Sequence, residues 1–219
     1  MQPAVTENYK KNILANLPEG YYPLMEKFYT IQGEGYHTGK PAFFIRLAGC
    51  DVGCVWCDVK ESWEASTSNL ISVDNLLKAV AESKTPNVVI TGGEPAAYNL
   101  TKLTDALSKK GYKVWLETSG AYPIQGTFDW ICVSPKKFKA PLESVLQKAN
   151  ELKVVIFNES DFKWAEENAR KASDVAKLFL QPEYSRFDRV IPIMIDYIKR
   201  NPQWSISLQS HNFLWQKEL

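Results

Sequence analysis

From residue 40 onward, short apolar runs alternate with segments whose apolar residues recur every three or four positions. The runs at 42–47, 87–91, 113–117, 129–133, 152–157, 176–180 and 205–208 have the length and the β-branched or aromatic content of buried strands. Between them, Val73, Leu76, Leu77 and Val80 mark one face of a helix that Ser72 caps and that runs to Glu82. A second helix opens at Asn99 and stops at Gly111, where a left-handed residue is favoured. The periodicity predicts further helices over 142–150, 161–172 and 188–199. Alternation of this kind implies parallel strands joined by crossovers. One connection is short: residues 118–128 include Gly120, Pro123 and Gly126, and a parallel crossover usually takes a dozen residues or more. The predicted fold is therefore α/β, a partial (β/α) barrel with reduced helices rather than the full eight-unit form of about 250 residues. Ligands in such sheets bind at the carboxyl ends of the strands. No internal repeat or low-complexity linker divides the chain, so a single domain is expected over 1–219, with an N-terminal extension at 1–27 and a C-terminal tail at 212–219.

Composition narrows the classes. Of 219 residues 45% are hydrophobic, enough for a substantial core, and 26 Lys plus Arg against 25 Asp plus Glu give a net charge of +1. That balance argues against nucleic acid or an anionic membrane as partner. No apolar run approaches the ~20 residues of a membrane span, and residues 1–27 carry charges and prolines where a signal peptide needs an apolar centre. A cytoplasmic protein with reduced thiols is expected. Two histidines, His37 and His211, leave little material for a histidine-based hydrolase.

The densest chemistry is Cys50-x-x-x-Cys54-x-x-Cys57, directly after the first strand, with Trp56 before the last cysteine. Thiolates ligate iron–sulfur clusters, and three of them leave one iron of a four-iron cluster open to a substrate or cofactor. A structural zinc site is the competing reading. It needs four closed ligands, and the remaining candidate, Cys132, lies in the apolar run Asp129-Trp130-Ile131-Cys132-Val133 and reads as core. Other polar motifs fall at strand ends: Thr91-Gly92-Gly93-Glu94-Pro95, Glu117-Thr118-Ser119-Gly120, Ser134-Pro135-Lys136 and Gln181-Pro182-Glu183-Tyr184. In the first, two glycines permit close approach to a ligand and the carboxylate suits a cationic group. Thr30-Ile31-Gln32-Gly33-Glu34-Gly35 precedes the first strand and is no dinucleotide fingerprint, because Thr38 stands where the third glycine belongs. Arg46, inside the apolar run Phe43-Phe44-Ile45-Arg46-Leu47, calls for a fixed anionic partner, either a structural acid or a substrate carboxylate.

The cysteine spacing with its aromatic residue, followed by Gly-Gly-Glu-Pro at the next strand end, resembles the radical S-adenosylmethionine (radical SAM) enzymes. Together with Thr-Ile-Gln-Gly-Glu-Gly at 30–35, Arg46, Glu117, Ser134-Pro135-Lys136, Gln181-Pro182 and Leu208-Gln209-Ser210-His211, it resembles within that superfamily the 7-carboxy-7-deazaguanine synthases. These are ring-contracting lyases of queuosine and deazapurine biosynthesis.

The resemblance implies a [4Fe–4S] cluster on Cys50, Cys54 and Cys57, with SAM chelated at the open iron and cleaved to a 5′-deoxyadenosyl radical. It further implies that Trp56, Cys57, Asp58, Gly93, Glu94, Glu117, Ser134, Pro135, Lys136, Gln181, Pro182, Glu183 and Tyr184 line the SAM site. Ile31, Gln32, Gly33, Arg46 and Thr91 would contact the substrate, 6-carboxy-5,6,7,8-tetrahydropterin. A homodimer and an electron donor such as flavodoxin follow by the same analogy. Two departures stand out. Where the family has a Thr or Ser ligand to Mg²⁺ after the Cys-Asp pair, this chain has Val59 and then Lys60, which puts Mg²⁺ in question as a cofactor. The family's short tail ends on the substrate, whereas 213–219 is longer and different, so that contact is not carried over. A glycyl-radical-enzyme activase and a noncatalytic iron–sulfur redox sensor remain alternatives from the cysteines alone.

Overall fold

A computed structural model describes residues 17–214 of the chain, and residues 1–16 and 215–219, the outer parts of the expected extension and tail, lie outside it. Seven strands run parallel in one sheet: β2 (Pro41–Leu47), β4 (Asn87–Gly92), β5 (Lys113–Thr118), β6 (Trp130–Val133), β7 (Glu151–Ile156), β8 (Lys177–Pro182) and β9 (Trp204–Ile206). Two antiparallel strands, β1 (Tyr21–Ile31) and β3 (Leu70–Ser72), extend it to nine, in the order β3-β1-β2-β4-β5-β6-β7-β8-β9. The parallel crossovers carry α1 (Val73–Glu82), α2 (Thr101–Lys109), α3 (Glu143–Leu146), α4 (Ser160–Ala169) and α5 (Phe187–Arg200), and α6 (His211–Leu214) follows β9. The connection from β5 to β6 has no α-helix, as its length predicts; it lies on the start of α2, where Leu100 N–H donates to Gln125 O and Thr127 N–H to Thr104 Oγ1.

Side chains along the strands alternate between two faces. Phe43, Ile45, Leu47, Val88, Ile90, Val114 and Leu116 point outward into the main core, where Leu76, Val80, Leu103, Leu107, Val190 and Met194 of the helices cover them. Each of these large aliphatic side chains contributes about 1.5–3 kcal/mol by leaving water. The inward face carries a thinner apolar layer, Ala42, Phe44, Val89 and Trp115 with Phe28 and Trp130. One step further along the same strands, this face turns polar at Arg46, Thr91 and Glu117.

Three expectations need correction. The predicted helix over 142–150 is only one turn, Glu143–Leu146. Lys148 N–H bonds Val145 O and Ala149 N–H bonds Leu146 O in tighter turns, after which Asn150 leaves to bond both backbone groups of Ile131. The helical spacing of Val145, Leu146 and Ala149 reflects burial in that turn. The second correction is that residues 21–27, expected within an extension, are the first part of the longest strand. The pairing of β1 with β2 slips between Leu24 and Glu26; such a bulge shifts the alternation from one face to the other, and with Pro23 it hides the strand from a two-residue periodicity. The third is small: β8 runs on through Gln181 and Pro182, whereas β9 stops at Ile206.

Candidate active site

The segment 48–59 leaves the end of β2 without regular structure and carries Cys50, Cys54 and Cys57. Backbone bonds pin its base: Gly49 N–H to Ser62 O at 2.7 Å, Cys50 N–H to Trp63 O at 3.2 Å and Glu94 N–H to Gly49 O at 2.9 Å. The Gly92-Gly93 pair serves this contact. A Cβ on Gly92 would lie 2.5 Å from Leu47 O, and one on Gly93 would lie 2.4 Å from Gly49 O, so the close approach is to the backbone at the end of β2 and the start of the cysteine loop. Glu94, 1% exposed, accepts from Ala96 N–H at 3.0 Å, Thr118 Oγ1 at 2.6 Å, Ser119 N–H at 2.8 Å and Ser119 Oγ. Its carboxylate thereby ties the end of β4 to the end of β5.

None of the four cysteines is in a disulfide. Burial pushes the Cys50 thiol up to about 11 and also raises Cys54. Trp63 Nε1–H donates to Cys57 Sγ at 3.3 Å, a contact that stabilises negative charge on sulfur. Among the described residues no three His, Cys, Asp or Glu gather as a site for a metal ion. Cys132 is 1% exposed on β6, paired in register with Glu117 and Glu151 rather than with the loop, and burial raises its thiol well above the ordinary range. Trp56 packs on Phe157 at 5.6 Å and on Phe138 at 5.0 Å, and its indole N–H is buried without an acceptor among the described residues. Three thiols outside any disulfide on one loop, with a donor aimed at one sulfur and a buried indole N–H beside them, fit a cluster with a bound cofactor. Ser134, Pro135 and Lys136 follow β6 on the same side; Lys136 Nζ reaches Ser134 Oγ at 2.5 Å, and Trp56, Pro135 and Lys136 share the wall of a small cavity. Gln181 and Pro182 are buried at the end of β8, while Glu183 bonds Ser185 and Tyr184 is exposed.

Inside the barrel, Arg46 pairs in register with Thr91, and Glu117 lies one residue beyond the Ile90–Leu116 pair, so the three occupy one row across β2, β4 and β5. Arg46 Nε–H bonds Glu26 Oε1 at 2.6 Å, and its terminal NH₂ groups have no partner among the described residues. The arginine therefore has a structural acid and still presents a fork of donors. The loop 32–40 folds up into the barrel beneath this row. His37 stacks on Trp115 at 3.9 Å and Tyr36 on Trp130 at 4.7 Å, closing the bottom with rings. Gly35, at φ +65°, passes so close to Glu151 that a Cβ would overlap its carboxylate. Gln32 Nε2 donates to Glu117 Oε1 at 3.2 Å, and Gly33 lies against Ser210 and His211. Ile31, the last residue of β1, is 38% exposed, the most open of the expected substrate residues.

Several residues here have no counterpart among the expected site residues. Lys153 of β7 is buried and donates to Glu34 Oε2 at 2.5 Å and Glu117 Oε2 at 3.1 Å. Gln209 Nε2 reaches Glu34 Oε1 at 3.1 Å and Asp58 Oδ2 at 3.3 Å. Burial pushes the Glu34 carboxyl up, but Lys153 and the amide donors outweigh it and hold it at about 2. The available signal was a lysine in the apolar run Leu152-Lys153-Val154-Val155-Ile156, the same signal that singles out Arg46.

Residues 44–176 match the Radical SAM superfamily. The chain is 51% identical over 193 residues to the 7-carboxy-7-deazaguanine synthase of Flavobacterium psychrophilum, covering 88% of this chain and 91% of that protein. The chain belongs to the 7-carboxy-7-deazaguanine synthases of the radical SAM superfamily. The synthases of Synechocystis sp. and Escherichia coli K12 are 46% and 36% identical, each over 88% of this chain and over 92% and 98% of their own lengths. The crystal structure of QueE from Escherichia coli superposes with a TM-score of 0.77 at 33% identity, over 93% of this chain and 98% of that one. Membership makes this a radical SAM enzyme with a [4Fe–4S] cluster and SAM, and its partial barrel is that of the superfamily. No helix among the described residues is long and apolar enough to cross a membrane.

Proposed function

We propose that this enzyme converts 6-carboxy-5,6,7,8-tetrahydropterin to 7-carboxy-7-deazaguanine and ammonia, in queuosine and deazapurine biosynthesis. The observation that carries the reading is the row of Arg46, Thr91 and Glu117 inside the barrel, set between the cysteine loop above and the ring-stacked loop 32–40 below. Cys50, Cys54 and Cys57 would hold the cluster, which together with SAM would supply reversible hydrogen-atom abstraction at the pterin's C6. The chain's own work is to bind, orient and exclude water. Arg46 offers its open NH₂ groups to the substrate carboxylate, a geometry a planar guanidinium serves better than an ammonium. Gln32, Gly33 and Thr91 meet the polar edge of the heterocycle, with Ile31 at the rim. Trp56, Asp58, Gly93 and Ser134 to Lys136 line SAM with Gln181 to Tyr184. Glu94, saturated by its four donors, acts by holding two strand ends in place, and Glu117 faces the pterin rather than the cofactor.

Reconstituted under anaerobic conditions and given the tetrahydropterin, SAM and a reductant, the enzyme is expected to release 7-carboxy-7-deazaguanine and one equivalent of ammonia. A SAM-sensitive cluster spectrum without that product would favour a protein-directed activase. A cluster indifferent to SAM would favour a noncatalytic sensor. In the cell we assign the electron to a carrier such as flavodoxin, and the working unit to a homodimer, testable by reconstitution with purified flavodoxin and by light scattering.

Mg²⁺ has a weak site here. It demands near-octahedral oxygen ligands; Asp58 already accepts from Gln209, Val59 has no side-chain oxygen, and Lys60 is exposed. Turnover of the wild type is expected to rise less than about threefold on adding Mg²⁺ to metal-depleted buffer, whereas Val59→Thr gains a clear dependence. Strong activation of the wild type would sink this reading.

A further inference from the structure

Lys153 is 5% exposed and joins three separate parts of the barrel interior. Its ammonium bonds Glu34 on the loop after β1 and Glu117 on β5; Glu34 in turn receives Gln209 from the segment after β9. Glu117 keeps Oε1 for Gln32. A single buried cation therefore aligns two carboxylates from distant stretches of chain, and both border the row that holds Arg46 and Thr91. The triad's formal charge is −1, the complement of a heterocyclic edge that presents N–H donors. Two carboxylates accept from such an edge at fixed points only if they are held in place and do not turn toward Arg46, the nearby cation of the same row.

We propose that Lys153 is a positioning residue for the pterin: it holds Glu34 and Glu117 as a fixed pair of acceptors for the amino-pyrimidine N–H groups, opposite the Arg46 fork that takes the carboxylate. This rests on the reaction assigned above. The substrate is then gripped by charge at both ends, with its C6 fixed between them. An ordinary structural ion pair would give stability alone, and burying it would be no gain over apolar packing.

The test uses cluster-loaded enzyme under anaerobic conditions and 6-carboxypterin, an oxidised analogue with no hydrogen to abstract at C6. Lys153→Met is expected to weaken its binding by roughly 100-fold, while SAM still perturbs the cluster's electron paramagnetic resonance spectrum. Lys153→Arg is expected to recover most of that loss. Because Lys153→Met strands buried charge and risks the fold, Lys153→Met/Glu34→Gln supplies the decisive arm. It returns the group's formal charge from −2 to −1, as in the wild type, and is expected to fold well yet still bind the pterin poorly. A double variant that binds 6-carboxypterin like the wild type would overturn the proposal, as would equal loss of the SAM response and pterin binding in Lys153→Arg. A wild type that neither binds 6-carboxypterin nor turns over the tetrahydropterin would instead overturn the assigned reaction.

Discussion

The Glu94 carboxylate is buried, and four donors from Ala96, Thr118 and Ser119 converge on it. Glu94→Ala leaves those donors without an acceptor, and each unsatisfied buried group costs about 1–3 kcal/mol. The expected outcome is a loss of roughly 3 kcal/mol or more in urea unfolding, together with weaker cluster retention. Unchanged stability with SAM binding alone abolished would restore the cationic-receptor reading of this residue. Cys132 makes a contrasting case. Its place inside β6 assigns it to packing, so Cys132→Ala should keep its iron at a cost of about 1 kcal/mol, whereas Cys50→Ala, Cys54→Ala and Cys57→Ala should each lose the four-iron chromophore. Iron content per chain decides between them. At this scale the sequence announces residue types better than partners. Arg46 is conspicuous in its apolar strand, but Glu26 lies twenty residues away on a strand whose bulge conceals it. Lys153 carries the same signal, and its meaning depends on Glu34 and Glu117, 119 and 36 positions distant.

Among elements, the end of β4 and the cysteine loop behave as one unit. Gly93→Ala would place a methyl 2.4 Å from Gly49 O and 2.8 Å from Ser62 O, both backbone atoms that cannot swing aside. The loop must therefore shift. The expected result is a fall in melting temperature of several degrees, with iron lost to a chelator faster than in the wild type; unaltered chelation kinetics would show that the loop's position does not depend on this contact. On its other side the loop is held by Asp51, which accepts from Tyr122 at 2.6 Å and Lys139 at 2.9 Å. Tyr122 comes from the helix-free connection between β5 and β6, so the segment that lacks a helix serves instead to brace the site. The missing helix is legible because eleven residues with Gly120, Pro123 and Gly126 leave no room for one. The bracing is not, because it depends on a pairing across 71 positions. Likewise β1 escapes a reading by alternation, although it completes the barrel wall and delivers the loop that plugs it.

For the molecule as a whole, a half-buried histidine and a buried glutamate at the barrel floor give stability opposite dependences on pH. Burial, with Lys40 beside it, lowers His37 from its ordinary 6.5 to about 4. The folded state then binds fewer protons than the unfolded one between those values, so this contribution is complete above pH 6.5 and is lost as pH falls toward 4. Glu151, one of whose oxygens is buried without a partner, is raised by burial above its ordinary 4.5. Its contribution is complete below pH 4.5 and is lost as pH rises through the shifted value. Glu34, held at about 2 against an ordinary 4.5, adds stability that is complete well above pH 4.5 and is lost as pH falls through 4.5 toward 2, so at the acid edge of this range it has the same sign as His37. In the wild type the two tendencies oppose each other as pH rises above 4.5. His37→Phe keeps a ring on Trp115 and removes one of them, so its stability should gain less than the wild type's as pH rises from 4.5 to 6.5. Glu151→Gln removes the other, and its stability should rise with pH up to about 6.5. Urea midpoints at half-unit steps from pH 4.5 to 7.5 measure both slopes, and two variants running parallel to the wild type would place the titrating groups elsewhere in the fold.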